Sequence, residues 1–239
     1  DEERLVEEII RTIKRVIELN EESLREIERV LEEVIKMDKR SLEEIKRVLD
    51  EILKLARDGD VSERLVERVE RLVRRLIRKN EEIVRRVREK VERLIRKNRT
   101  LVDDVRRKVK ELIEKLRRTG LKEDLERVLR KILELLERLS EDTARVLEEL
   151  LRLLEELSRR TAEVLKRLLD ILRELAKLRG EELERVLREL KKVLEELIKD
   201  NERVNDELRR VLEKLKERNR KVLEDIKRVL EELRDEVER

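Results

Sequence analysis

Thirteen small polar residues interrupt an otherwise aliphatic set of positions, and they are the first candidates for chemistry. They are Asn20, Ser23, Asp38 and Ser41, then Asn80 and Asn98, then Ser140, Thr143, Ser158 and Thr161, and finally Asn201, Asn205 and Asn219. At 100° per residue each falls at an interior angle, among the Leu, Ile and Val of its own segment. Amides and hydroxyls satisfy one another well but make poor acids, bases and metal ligands. The chain has no His and no Cys, so no nucleophile triad can be assembled. A di-metal carboxylate bundle needs interior Glu with Glu-x-x-His, and that pattern is absent. No catalytic, metal or cofactor site is therefore expected. The residue types favour a buried hydrogen-bond network over a binding chamber. An unpaired buried polar group costs roughly 1–3 kcal/mol, so such a network can dictate which helices meet and in what register. Asp38 stands apart, because a buried carboxylate is costly unless several donors reach it. It reads as an acceptor for the Ser41 and Asn80 side chains, or as a neutralised acid sensitive to pH.

The elements that must position these residues follow from composition and period. Of 239 residues, 54% are charged and 38% hydrophobic; Pro and all aromatics are missing, and there are three Gly and one Met. Such an alphabet with helical periodicity reads as long helix. Disorder is the rival reading of so much charge, but Leu, Ile and Val recur at helical spacing without a break. An 18-residue beat runs through the chain. The segments LERVLRKILELLERLSED (125–142), TARVLEELLRLLEELSRR (143–160) and TAEVLKRLLDILRELAKL (161–178) align Leu129 with Leu147 and Leu165, and Ile132 with Leu150 and Leu168. Eighteen residues make five turns, so the apolar stripe runs parallel to the helix axis and demands no supercoil.

Glycines fall at 59, 120 and 180, where they suit helix C-terminal caps. Ser62, or Asp60, is placed to cap the helix that follows the first turn. The expected helices are about 1–57, 62–118, 121–179 and 181–238, each about 85 Å long at 1.5 Å per residue. Loops this short force antiparallel neighbours. The fold class expected is all-α: a single-chain, antiparallel, up-down-up-down four-helix bundle of long, nearly straight helices, with residues 1–239 as a single domain. In helix two Leu65, Val66, Val69, Val73, Leu76 and Ile77 span roughly 140°. Helix three is wider, roughly 180°, because Leu135, Leu153 and Ile171 extend its edge. That edge reads as core flanking, or as the contact of a homo-oligomer.

Antiparallel pairing about the three turns sorts the polar residues into two layers. One holds Asn20, Ser23, Asn98, Ser140, Thr143 and Asn219. The other, 18 residues away, or about 27 Å along the axis, holds Asp38, Ser41, Asn80, Ser158, Thr161, Asn201 and Asn205.

The remaining signals are weaker. Helix two carries 22 Lys and Arg against 11 Asp and Glu, a net +11 in a chain of net +3. Arg74, Arg75, Arg78, Lys79, Arg85, Arg86 and Arg88 could line a basic stripe. With no aromatic for stacking and no recognition motif, the stripe reads as a solvated face complementary to acidic neighbours, touching nucleic acid only non-specifically. Asn98-Arg99-Thr100 matches the glycosylation triplet, but inside a helix. No stretch approaches the roughly 18–20 apolar residues of a membrane span, and no signal peptide opens the chain. A soluble protein without a targeting address or required partner is expected.

On these features the chain resembles de novo designed, parametrically generated helical bundles with built-in hydrogen-bond networks. The resemblance rests on the untwisted 18-residue repeat, the equal helices, the minimal Gly-containing loops, the layered Asn/Ser/Thr sets and runs such as LERVLRKILELLERL. It covers the whole length. It implies a structural scaffold of high thermal stability with no natural activity. The chain departs from that pattern in its low alanine content, its lack of any aromatic, and Asp38 where an amide is expected.

Overall fold

The computed structural model describes residues 2–57, 63–120, 123–175 and 177–238. They form four helices in chain order: α1 Glu2–Arg57, α2 Glu63–Thr119, α3 Glu123–Leu175 and α4 Glu181–Glu238. The fold is an antiparallel up-down-up-down four-helix bundle. Antiparallel order is visible in the facing polar pairs. When the α1 partner moves 18 residues on, from Asn20 to Asp38, its α2 partner moves 18 back, from Asn98 to Asn80. The α3–α4 pairs behave alike, from Thr143 with Asn219 to Thr161 with Asn201.

The chain divides into two compact units, and all four helices contribute a segment to each. The first comprises Asp1–Glu28, Arg88–Leu150 and Val211–Arg239; the second comprises Arg29–Val87 and Leu151–Arg210. In the first, Ile9, Ile13, Val105, Leu112, Leu129, Ile132, Leu136, Ile226 and Leu233 are wholly buried. In the second the same role falls to Ile45, Ile52, Val69, Val73, Leu165, Leu172 and Leu194. The repeat-aligned positions Leu129, Leu147 and Leu165 are all at 0% exposure. The 18-residue stripe is thus the buried stripe. Truncating such a side chain to Ala typically costs about 2–5 kcal/mol. Acidic first turns, Glu123, Asp124 and Glu126 in α3 and Glu181, Glu182 and Glu184 in α4, complement the positive ends of those helices.

Two boundaries differ from expectation. Helix α3 ends at Leu175, four residues short of Arg179. The backbone tightens there: Lys177 N–H donates to Glu174 C=O and Leu178 N–H to Leu175 C=O, each at 3.1 Å. Such i→i−3 bonds close the last turn. Gly180 was expected to cap the end of α3, but its carbonyl accepts from Glu184 N–H at 3.2 Å, so it opens α4 instead. Its φ of 73° and the φ of 104° at Gly120 lie in the left-handed region, which side chains beyond glycine enter at a cost. The Asp58-Gly59-Asp60 turn and the Ser62 cap lie outside the described residues.

The edge of α3 divides. Leu135 is half-buried and packs against the core of the first unit. Leu153 is half-buried, and Ile171 is 38% exposed.

Candidate functional site: the buried polar residues

In the first unit, Asn20, Asn98, Thr143 and Asn219 are all buried. Asn20 and Asn98 form a reciprocal amide pair. Asn20 Nδ2 donates to Asn98 Oδ1 at 2.8 Å, and Asn98 Nδ2 donates to Asn20 Oδ1 at 2.9 Å. The second hydrogen of Asn20 reaches the Val16 carbonyl at 2.7 Å, one turn back on α1. On the other side Thr143 Oγ1 donates to Asn219 Oδ1 at 3.3 Å.

The second unit repeats the arrangement with one substitution. Thr161 Oγ1 donates to Asn201 Oδ1 at 3.3 Å. Asp38, opposite Asn80, stands where Asn20 stands in the first unit. The Asn80 side chain hydrogen-bonds to the Asp38 carboxyl, but an ionised carboxylate has no hydrogen to return. Asp38 Oδ1 and Asn80 Oδ1 are both left without a partner. Burial pushes the Asp38 carboxyl up from 3.8 to about 7, against the opposing pull of the Asn80 hydrogen bond. A proton on Asp38 lets the pair close as the Asn20–Asn98 pair does.

The layers expected from sequence therefore resolve into dyads. Among the described residues, the hydrogen bonds of these Asn, Asp and Thr side chains to one another run from α1 to α2 and from α3 to α4. Asn98 bonds Asn20, and Asn201 accepts from Thr161. Asn219 Nδ2, Asn201 Nδ2 and Asn205 Oδ1 are buried without partners. Ser23, Ser41, Ser140 and Ser158 are half-buried. Each lies three residues from the buried Asn, Asp or Thr of its helix, hence about 60° round the helix toward its edge. Asp38, Asn201 and Asn205 border a groove of about 360 Å³ between α1 and α4, whose rim carries Lys36, Lys39, Glu202, Asp206 and Arg209.

Sequence reasoning missed Thr12. It is buried at 5% exposure between Ile9 and Ile13, and its hydroxyl donates to the Glu8 carbonyl at 3.0 Å. Its place on the Ile stripe of α1 was the available signal. Such a bond back to the preceding turn satisfies a hydroxyl without a second helix.

The basic flanks of α2 meet acidic neighbours. Lys90 pairs with Glu26 at 3.1 Å and Arg86 with Glu33 at 3.4 Å on α1. Arg106 reaches Glu137 of α3 at 2.7 Å, and its guanidinium is pushed up by that hydrogen bond. These exposed pairs stabilise little individually, but they match charge between neighbouring helices. Among the described residues, no group of three or more His, Cys, Asp or Glu could hold a metal ion. None of the helices, over the same residues, is long and apolar enough to cross a membrane.

No protein-family model and no curated protein matches the chain. Among solved structures it is similar to a "Computationally designed three helix bundle", at 21% identity over 97% of this chain and 91% of that one, with a TM-score of 0.25. A superposition that loose supports no argument about this chain.

Proposed function

We propose that this protein is a de novo designed structural scaffold without natural biochemical activity, in which buried Asn, Asp and Thr side chains fix helix pairing and register within a single domain. The observation that carries this reading is the Asn20–Asn98 pair. Both amides are buried, and each donates to and accepts from the other. Both amides are shielded from solvent, at 0% and 1% exposure. A side-chain pair closed on itself specifies a neighbour, because separating it leaves unpaired polar atoms in an aliphatic core. High thermal stability belongs to the same reading.

A double-mutant cycle tests it. Asn98→Leu alone strands Asn20 Oδ1 and is expected to cost about 1–3 kcal/mol in denaturant unfolding. Asn20→Leu with Asn98→Leu is expected to recover most of that loss, since an apolar pair leaves nothing unsatisfied. Additive losses would mean that the two amides do not act as a pair.

A further inference from the structure

Two departures from the 18-residue repeat meet in one place. Asp38 stands at the position of Asn20, and Asn205 at the position that Leu187 and Leu223 hold one repeat to either side. Both leucines are buried; an amide there must find partners that a leucine does not need. The α1–α4 register brings Asp38 and Asn205 together. Glu32 pairs with Arg209 at 3.3 Å and Asp50 with Lys191 at 2.9 Å, so eighteen residues forward on α1 match eighteen back on α4. Asp38 lies six residues on from Glu32, level with the turn of α4 that runs from Asn201 to Asn205. All three are buried and line the groove of about 360 Å³ between α1 and α4, within the second unit. Each keeps one polar atom without a partner: Asp38 Oδ1, Asn201 Nδ2 and Asn205 Oδ1. The α1–α4 groove of the first unit has Leu24, Asn219 and Leu223 as its buried lining, so the second groove alone of these two combines an acid with two amides.

We propose that this groove binds a small planar amidinium-type cation, whose paired N–H groups donate to the Asp38 carboxylate of α1 and to the Asn205 carbonyl oxygen of α4. Two unpartnered acceptors against one donor call for a ligand rich in N–H groups, and a carboxylate makes such bonds charge-assisted. A flat, delocalised cation is more weakly hydrated than an ammonium, so it enters more cheaply beside Leu42 and Ile198, which line the same groove. The Asn80 side chain bonds the Asp38 carboxyl from α2 and holds it in place. Arg209 also lines the groove, but Glu32 and Asp206 engage its guanidinium at 3.3 and 3.8 Å. The surrounding charges are mixed. Lys36 and Lys39 of α1, and Lys79 beside Asn80 on α2, oppose a cation; Glu202 and Asp206 of α4 favour it; α3 brings the uncharged Thr161 to this level. Selectivity therefore rests on the N–H contacts rather than on the net field. Burial keeps a proton on Asp38 up to about pH 7. The cation takes the place of that proton, so binding strengthens as pH rises through about 7.

The test follows the methyl signals of Leu42 and Ile198 by NMR while the full chain is titrated with acetamidinium at about pH 8.5 and about pH 5.5, on either side of the Asp38 titration. At the higher pH, saturable shifts are expected with a dissociation constant on the order of 1 mM. At the lower pH, binding should weaken by about tenfold or more, because little of the ionised form remains. Asp38→Asn keeps the shape and removes the charge, and should weaken binding at the higher pH by about tenfold or more. Asn205→Leu, which restores the residue of the neighbouring repeats, should weaken it by about threefold or more. Each variant removes an unpartnered buried atom and is expected to fold, which circular dichroism checks. Tetramethylammonium, of equal charge but without an N–H, should give no saturable shift. Absence of saturable shifts at the higher pH would overturn the proposal. So would undiminished binding by Asp38→Asn, or equal binding of tetramethylammonium.

Discussion

Asp38 shows how much one atom decides in a dry interior. Asn20 and Asp38 occupy equivalent places on α1, and both face an asparagine of α2. The amide closes a reciprocal pair; the carboxylate leaves two oxygens unpartnered. The consequence for pH has a definite sign. With the carboxyl raised from 3.8 to about 7 in the fold, the native chain holds a proton between those values that the unfolded chain has released. Stability from this group is complete below about pH 4 and is lost as pH rises through about 7. The neighbouring charges do not cancel one another simply: Lys36 and Lys39 stand on the same turns of α1, and Glu202, Asp206 and Arg209 face from α4. Asp38→Asn should therefore stabilise the protein at pH 8 by on the order of 3–4 kcal/mol and lose that advantage by about pH 4. Denaturant unfolding of both forms across that range is the check; a constant difference would show that Asp38 is ionised throughout. This residue was legible from its phase on α1 and its repeat relation to Asn20. The choice of partner was not. Residues from four helices share each level, and phase alone does not say whether Asn98 turns toward Asn20 or Thr143.

Helices α1 to α4 were legible because the 18-residue period and the spaced glycines agree. Their ends were less so. Leu178 keeps the apolar phase of α3, so the sequence extends the helix past its true end at Leu175, where i→i−3 bonds take over. Gly180 sits between two helices and can serve either; which one depends on where its neighbour stops. At Gly120 a Cβ would meet nothing within 4 Å, so substitution acts through the backbone alone. Gly120→Ala should lower unfolding free energy by about 1 kcal/mol, and Gly120→Asn by less, since Asn tolerates the left-handed region better. Equal costs would show that something other than φ governs the turn. The wide edge of α3 served two readings. Leu135 is packed on the core of its unit, which leaves Ile171 as the exposed remnant. A monomer mass of 29.2 kDa by light scattering is the expected outcome. A doubled mass that falls back to the monomer in Ile171→Glu would make this edge an interface.

For the whole molecule, composition and period give the all-helical bundle, because an aliphatic stripe flanked by charge has few other ways to be buried. They leave open a plain physical question: a stripe of Leu, Ile and Val would bury almost as well after sliding by a turn. The Asn and Thr pairs are the feature that can distinguish one register from another. Double electron–electron resonance between spin labels at exposed Lys14 and Arg99 measures this directly. The parent chain should give one narrow distance distribution. Replacing the polar set of that unit by Asn20→Leu, Asn98→Leu, Thr143→Val and Asn219→Leu should leave a helical, equally or more stable protein whose distribution broadens or splits. An unchanged narrow distribution would contradict the account, because register would then be set by the aliphatic core and the turns alone.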